Sequence, residues 1–272
     1  MPELPEVEIA RRNLERWWQG KTASEVVVVD EKPLRETDPE ALVSALKQTA
    51  EAVERYGKYI LVRVADGSTV LIHFRMTGKI VRCDEPEPKY ARVSWKVPAS
   101  NGAEPGWLVF KDQRRLGTVR LLAPGEFESY EPVQKMGPDA LEVTGDMLCE
   151  RLSKRRMLKT ALMDQEVIAG LGNIAAIEIM WRMELGPRVK CGALSEADCE
   201  RLADEIKRFL LGVIEVEQAD EVVYLEESRA DNPFDVYGKE GEPCPRCGTA
   251  IGRVKVGGRS TYFCPTCQGL SG

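Results

Sequence analysis

Cys244-Pro245-Arg246-Cys247 and Cys264-Pro265-Thr266-Cys267 are two C-x-x-C knuckles set 16 residues apart. Two such pairs offer four thiolates at the spacing of a tetrahedral structural zinc site. Disulfides are the alternative, and a chain without a signal-peptide profile disfavours them. Four sulfur ligands close the coordination sphere, so one Zn2+ held here is structural and activates no water. Between the knuckles, 251–256 and 260–263 read as strands and Gly257-Gly258 as the turn joining them, a β-hairpin hung from the metal. Arg259 follows the turn. From Lys239 to Tyr262 five basic residues face two acids, against a net charge of -6 for the whole chain. An arginine-tipped hairpin in a locally basic stretch suits phosphate or a DNA groove. Cys83, Cys149, Cys191 and Cys199 show no comparable spacing and read as ordinary thiols.

Working back from the tail, the chain reads as helical. Thr144 caps a helix running into Leu152; 158–163 is a second, 174–183 a third, and Ser195 caps a fourth that reaches about Val216. Arg151-Leu152-Ser153-Lys154-Arg155-Arg156-Met157-Leu158-Lys159 carries five basic residues and no acid, a pattern that by itself describes a solvated face. Gly170-Leu171-Gly172-Asn173 is a turn delivering Asn173 to a helix start. Asn caps helices well and exposed N–H groups there bind phosphate, although a tight helix–helix turn accounts for the glycines equally. Pro124-Gly125, Glu131-Pro132 and Gly137-Pro138 break any regular pattern, which puts a boundary within 124–138.

The first half is β-rich. Glu25-Val26-Val27-Val28-Val29 reads as a buried strand and 39–48 as a short helix. Runs 59–64 and 69–74 flank Asp66-Gly67-Ser68 as a hairpin, and strands follow at 92–97, 106–110 and 117–122, with Asn101-Gly102 in the loop joining the first two. Leu4, Val7, Ala10, Leu14 and Trp17/Trp18 recur at helical spacing, predicting an amphipathic helix over about 3–18 with Arg11, Arg12 and Arg16 toward solvent. Hydrophobic content of 43% and charged content of 30% are ordinary for a globular protein. No apolar run approaches a membrane span, so a cytoplasmic protein is the expectation. The single histidine, His73, lies in an apolar run and reads as a buried structural residue. Ser-His-Asp triads and multi-histidine metal sites therefore drop out, and acid–base work falls to carboxylates or an amine.

An amine is on offer in Met1-Pro2-Glu3-Leu4-Pro5-Glu6-Val7-Glu8. Proline after the initiator methionine permits trimming, which leaves a secondary amine at the chain end. α-Amines have pKa values of about 7.7–8.0, so part of the population is nucleophilic at neutral pH. Attack on an aldehyde or a sugar C1′ gives an iminium, the electron sink of covalent amine catalysis. Glu3 and Glu6 are carboxylates close to that amine. Helix initiation alone explains Pro5, Glu6 and Glu8; it does not explain Pro2-Glu3.

Together these stretches resemble the formamidopyrimidine-DNA glycosylase/endonuclease VIII (Fpg/Nei) family over essentially the whole chain. The residues that carry the resemblance are Pro2 to Glu8, Gly170-Leu171-Gly172-Asn173, Val236-Tyr237-Gly238 and the knuckled hairpin with Arg259. The resemblance implies an α+β protein: an N-terminal catalytic β-sandwich with a leading helix over 1–130, a helix–two-turn–helix domain over 131–238 and a zinc finger over 239–272. It implies double-stranded DNA, carrying damaged bases or abasic sites, bound in the cleft between the domains; a monomer is the expectation, since no oligomerisation signal stands out in the sequence. Pro2 would be the nucleophile at C1′, Glu3 the acid–base carboxylate, Glu6 its neighbour, and Lys58 a phosphate contact near the lesion. Asn173 and Arg259 would clamp phosphate. Met76, Arg114 and Leu116 would fill the hole left by an extruded base, Arg114 facing the orphaned partner.

The implied activity is that of a bifunctional DNA glycosylase/AP lyase of base excision repair. It would remove 8-oxoguanine or formamidopyrimidine through an N-terminal proline Schiff base and cut by β,δ-elimination. Three departures from the family pattern bear on it. Leu116 stands where phenylalanine is usual and Ala175 where tyrosine is usual. From Gln218 to Asp235 an acidic stretch replaces a glycine-rich lesion-capping loop. An oxidised-pyrimidine or abasic-site enzyme, a non-cutting binder of damaged DNA, and a zinc-ribbon adaptor for a protein partner are the competing readings.

Overall fold

A computed structural model describes residues 2–99, 105–216 and 232–269. The described residues form two compact units, 2–134 with 214–216 and 135–213 with 232–269. Asn101-Gly102 and most of the acidic stretch, through Asp231, lie outside the described residues.

The first unit runs α1 (Leu4–Trp18), β1 (Glu25–Val28), α2 (Pro39–Leu46), β2 (Ala50–Tyr56), β3 (Tyr59–Val64), β4 (Thr69–His73), β5 (Gly78–Cys83), β6 (Ala91–Val97), β7 (Gly106–Asp112), β8 (Thr118–Leu122) and α3 (Glu131–Gln134). Its strands form two antiparallel sheets, ordered β1-β6-β7-β5 and β2-β3-β4-β8, the β-sandwich expected. β2 and β5 have no counterpart in the sequence reading. Both are sheet edges, and edge strands carry charges that blur a period-2 apolar signal. α1 buries Leu4, Val7, Leu14 and Trp18, and the Trp18 ring lies 5.2 Å from that of Trp95 in β6. Arg11 does not face solvent as its helical position suggested. Its Nε donates to Glu8 Oε2 at 3.1 Å and its Nη1 to the Val53 carbonyl at 3.2 Å, which ties α1 to β2.

The second unit holds α4 (Gly145–Arg151), α5 (Leu158–Leu162), α6 (Asn173–Arg182), α7 (Glu196–Val216), β9 (Gly252–Val256), β10 (Arg259–Phe263) and α8 (Pro265–Gln268). Thr144 caps α4 by accepting from the Met147 N–H. At the start of α7, Ser195 Oγ accepts from the Asp198 N–H while Asp198 Oδ2 accepts from the Ser195 N–H, a reciprocal cap. Two expectations are corrected. Cys149 and Cys199 are not ordinary thiols but a disulfide between α4 and α7, Cα atoms 5.9 Å apart; a pairing across 50 residues leaves no mark in local spacing. Lys159 is not part of a solvated basic face. It is 0% exposed, and its Nζ donates to Asn173 Oδ1 at 2.7 Å. No helix among the described residues is long and apolar enough to cross a membrane.

Candidate functional site

At the N-terminus, Pro2 and Glu3 are both buried. Glu3 is the N-cap of α1 with extended backbone, and the Glu3 side chain accepts from the Glu6 N–H. Glu6 Oε2 accepts in return from the Glu3 N–H at 2.9 Å. This capping box satisfies two helix-start donors and freezes the backbone on which Pro2 and Glu3 sit. Glu6 therefore acts on Glu3 through the main chain. One turn on, Glu8 receives Arg11, Arg12 and Arg55 at 3.1, 2.9 and 3.1 Å. Burial pushes its carboxyl up, but the three guanidiniums outweigh this and hold it below the usual range. Because Arg55 comes from β2, the helix start and the β2–β3 turn are held to one another.

That turn presents Lys58. Tyr56 pairs with Tyr59, so Gly57 and Lys58 are its two central residues, and Gly57 takes φ 56°, the left-handed value glycine supplies at such a turn. Tyr59 pairs with His73 on β4, their rings 4.5 Å apart edge to face. His73 Nδ1 accepts the Arg75 N–H at 3.0 Å. Burial, with the charges of Arg75 and Lys58, lowers its pKa to about 3. The ring is therefore neutral at physiological pH, with the proton on Nε2 as a donor. Reading His73 as merely structural missed this cationic neighbourhood. The signal was the hairpin register, which sets His73 opposite Tyr59 and so beside Lys58.

Met76 lies in the turn leading into β5, and Arg114 and Leu116 in the loop leaving β7. Arg114 is exposed; Met76 and Leu116 are half-buried. The two segments come from one point of the sheet, because Gly78 and Asp112 are paired. Arg115, at φ 57°, turns outward to bind Asp30 with two bonds of 2.6 and 2.8 Å.

In the second unit the N-cap of α6 is Gly172, not Asn173. Asn173 stands inside the first turn with its side chain committed elsewhere: Oδ1 to Lys159, and Nδ2 donating to the Ser260 carbonyl of β10 at 3.3 Å. Asn173 and the strand that begins with Arg259 are thus brought together. Arg259 is exposed. The hairpin does not simply hang from the metal knuckles. A Cβ on Gly257 would meet the Thr160 side chain at 2.5 Å, so the turn is seated against α5. Arg246, between the first two cysteines, stacks over Trp181 at 4.2 Å and caps the end of α6 through the Trp181 and Arg182 carbonyls.

Glu178 of α6 is 0% exposed. Its carboxylate accepts the N–H groups of Asp235, Val236 and Tyr237 at 3.0, 3.0 and 2.8 Å. Burial raises its pKa against the pull of those bonds. Asp235, counted in the sequence among acids that would repel phosphate, is paired with Arg182 at 3.1 Å. Ala175 is buried and brings no hydroxyl to this end of α6.

The sulfurs of Cys244, Cys247, Cys264 and Cys267 all lie within 4.8 Å of one another. The 3.4 Å and 4.0 Å separations across the knuckles are compatible with four sulfurs around one ion at about 2.3 Å each. Cys264 Sγ also accepts the Cys267 N–H, the kind of support that orients a ligand thiolate. These residues hold one structural zinc ion, with no position left open for chemistry.

A β-sandwich led by a capped Pro-Glu helix start and a helical unit closed by a four-cysteine finger are the parts that comparison with known proteins matches. The N-terminal domain family of formamidopyrimidine-DNA glycosylase matches residues 1–119, the formamidopyrimidine-DNA glycosylase H2TH domain 136–223, and the zinc finger found in FPG and IleRS 241–269. The chain is 36% identical to the formamidopyrimidine-DNA glycosylase of Bacillus subtilis over 279 residues, covering 98% of this chain and 99% of that one. Lactococcus lactis Fpg, solved with DNA containing an abasic site, superimposes with a TM-score of 0.85 at 31% identity, covering 98% and 99% of the two chains. MutM in complex with DNA containing carbocyclic 8-oxo-G gives the same values. The chain belongs to the formamidopyrimidine-DNA glycosylase family.

Proposed function

We propose that this protein is a bifunctional DNA glycosylase/AP lyase acting on oxidised bases and abasic sites in double-stranded DNA. The observation that carries the reading is the buried Pro2-Glu3 start, fixed by its reciprocal cap with Glu6. Removal of Met1 frees the Pro2 amine, which attacks C1′ of the extruded nucleotide as the base leaves, the N–H proton of the amine passing to the departing base. Glu3 supplies a proton to the ring oxygen, and the C1′–O4′ bond opens to an iminium between Pro2 and C1′. Loss of a C2′ proton expels the 3′ phosphate, and a second elimination expels the 5′ phosphate, leaving a one-nucleoside gap. Lys58, with neutral His73 and Arg75 beside it, would hold phosphate near the lesion; Asn173 and Arg259 would hold it from the second unit. Met76, Arg114 and Leu116 would occupy the vacated stack.

The family relatives solved with abasic-site and 8-oxo-G DNA support the substrate class. The family resemblance favours the purine lesions 8-oxoguanine and formamidopyrimidine, while the absence of a glycine-rich capping loop from 218–235 pulls toward oxidised pyrimidines and abasic sites.

Borohydride trapping on duplexes carrying an abasic site, 8-oxoguanine or an oxidised pyrimidine, with intact mass of the same preparation, tests the mechanism. A covalent adduct on Pro2 is expected, slowed in Pro2→Gly, whose primary amine is a different nucleophile, while DNA affinity is largely kept, and the fastest substrate names the lesion. No adduct on any substrate from protein lacking Met1 would leave a binding protein instead.

A further inference from the structure

We propose that Asp112 is the positioning residue that joins the Met76 turn and the Arg114–Leu116 loop into one rigid wedge. The inference rests on the reading that these side chains fill the space of an extruded base. Asp112 ends β7 and is 0% exposed. Its Oδ2 accepts the N–H groups of Leu116 at 2.8 Å and Gly117 at 2.7 Å, and its Oδ1 accepts the Arg114 N–H at 3.1 Å. Oδ1 also takes the hydroxyl of Thr77, and Thr77 Oγ1 accepts the same Arg114 N–H at 3.1 Å. Thr77 is the residue after Met76. One carboxylate thus fastens its own loop with three N–H bonds and the other segment with one O–H bond.

The chemistry needs aspartate in particular. Four donors converge on two oxygens out of contact with water, and each oxygen takes two of them. Asparagine would turn an NH2 group toward one pair, losing two bonds and setting donor against donor. A buried carboxylate is costly unless fully bonded, and this one is satisfied by N–H and O–H donors of the two segments it joins. Glycine is required at Gly117 for the same reason: a Cβ there would lie 3.1 Å from Asp112 Oδ2 and 2.7 Å from the Phe110 ring. A wedge must keep its shape while DNA pushes back, and the pin supplies that stiffness without itself touching DNA.

The test uses the full chain and a duplex with a tetrahydrofuran abasic analogue opposite 2-aminopurine, whose fluorescence at saturating protein reports insertion into the stack. For Asp112→Asn the insertion signal should fall at least about twofold and the dissociation constant rise about tenfold, the equivalent of one lost charge-assisted bond. Borohydride trapping of a true abasic site at saturating enzyme should stay within about threefold, since wedge residues are not the nucleophile. Thr77→Val cuts only the link between the segments. It should lower the insertion signal with an unchanged melting temperature, and it serves as the deciding variant if Asp112→Asn does not fold. An unchanged insertion signal in Thr77→Val and Asp112→Asn overturns the pin, as does an equal loss of insertion and trapping that follows a drop in melting temperature. Arg114→Ala and Leu116→Ala run beside them. If these also leave the signal intact, the wedge reading has failed; if they abolish it while the Asp112 and Thr77 variants do not, only the pin has.

Discussion

Asp112 in the first unit and Glu178 in the second use the same device to different depth. Each is a carboxylate 0% exposed that accepts three backbone N–H groups of one short segment. Around Asp112 the loop is further held by hydrogen bonding and ion pairing, through Thr77 and the Arg115–Asp30 pair. Around Glu178 the segment continues into an apolar cluster: Val236 packs with Ile177, Trp181, Ile251 and two of the zinc cysteines. The first is a polar lock on a solvent-facing loop, and the second is one fastening among several on a metal-stapled core. Polar locks respond to single-atom changes, whereas stapled cores respond to loss of the staple.

Removing the staple should have the largest effect. Structural zinc contributes an apparent binding free energy on the order of 10 kcal/mol to small fingers. Chelation, or Cys264→Ser, should abolish amide protection in 241–269 and release Arg246 from α6, while amides in β3, β4 and β7 keep theirs. Hydrogen exchange reads both at once. Protection persisting in the zinc-free finger would mean that the apolar cluster suffices and the contrast between the units is wrong.

Next in size is Glu178→Ala, which leaves three enclosed N–H groups without their acceptor at a cost on the order of 3 kcal/mol. Denaturant unfolding should show the loss in the second unit, with faster exchange at the Asp235, Val236 and Tyr237 amides. A change below about 0.5 kcal/mol would show that the zinc core alone places that segment.

The smallest effect sharpens the polar half of the contrast. The folded pKa of His73 is lowered to about 3 from 6.5, so below pH 6.5 the unfolded chain takes up the proton first. Stability is therefore lost as pH falls, by about 1.4 kcal/mol per unit at most, across the window from 6.5 to 3. As the chain has one histidine, a single imidazole NMR signal should stay at its neutral position down to pH 5. His73→Gln should remove that part of the acid slope from the first unit and leave the second unit unchanged. A midpoint near 6.5 would place His73 in water and remove its neutral acceptor from the Arg75 N–H.

The parts of this architecture legible in advance were those whose physics is local. α1, the β3–β4 hairpin, the caps at Thr144 and Ser195 and the two knuckles all follow from spacing or from a residue's own hydrogen-bonding reach. Asn173 was placed at the right turn but not at the cap, since Gly172 caps α6 and the Asn173 side chain bonds Lys159 and Ser260 from inside the first turn. β2 and β5 were hidden because edge strands need not alternate cleanly. The Cys149–Cys199 bond and the burial of Lys159 were hidden because both depend on partners far along the chain.

By itself, the sequence determined a four-cysteine zinc site, a β-rich half led by an amphipathic helix, a helical half, and an N-terminal Pro-Glu pair, of which the structure shows that helix initiation accounts for Glu3 but not for Pro2. Each of these is set by covalent spacing or by the periodicity of a single segment. Only the tertiary structure decided which carboxylates are locks, that Glu6 works on Glu3 through the main chain, that His73 is neutral beside two cations, and that the finger hairpin is seated on α5. Those outcomes depend on burial and on donors brought from distant strands, and burial is a property of the packed chain rather than of any stretch of it.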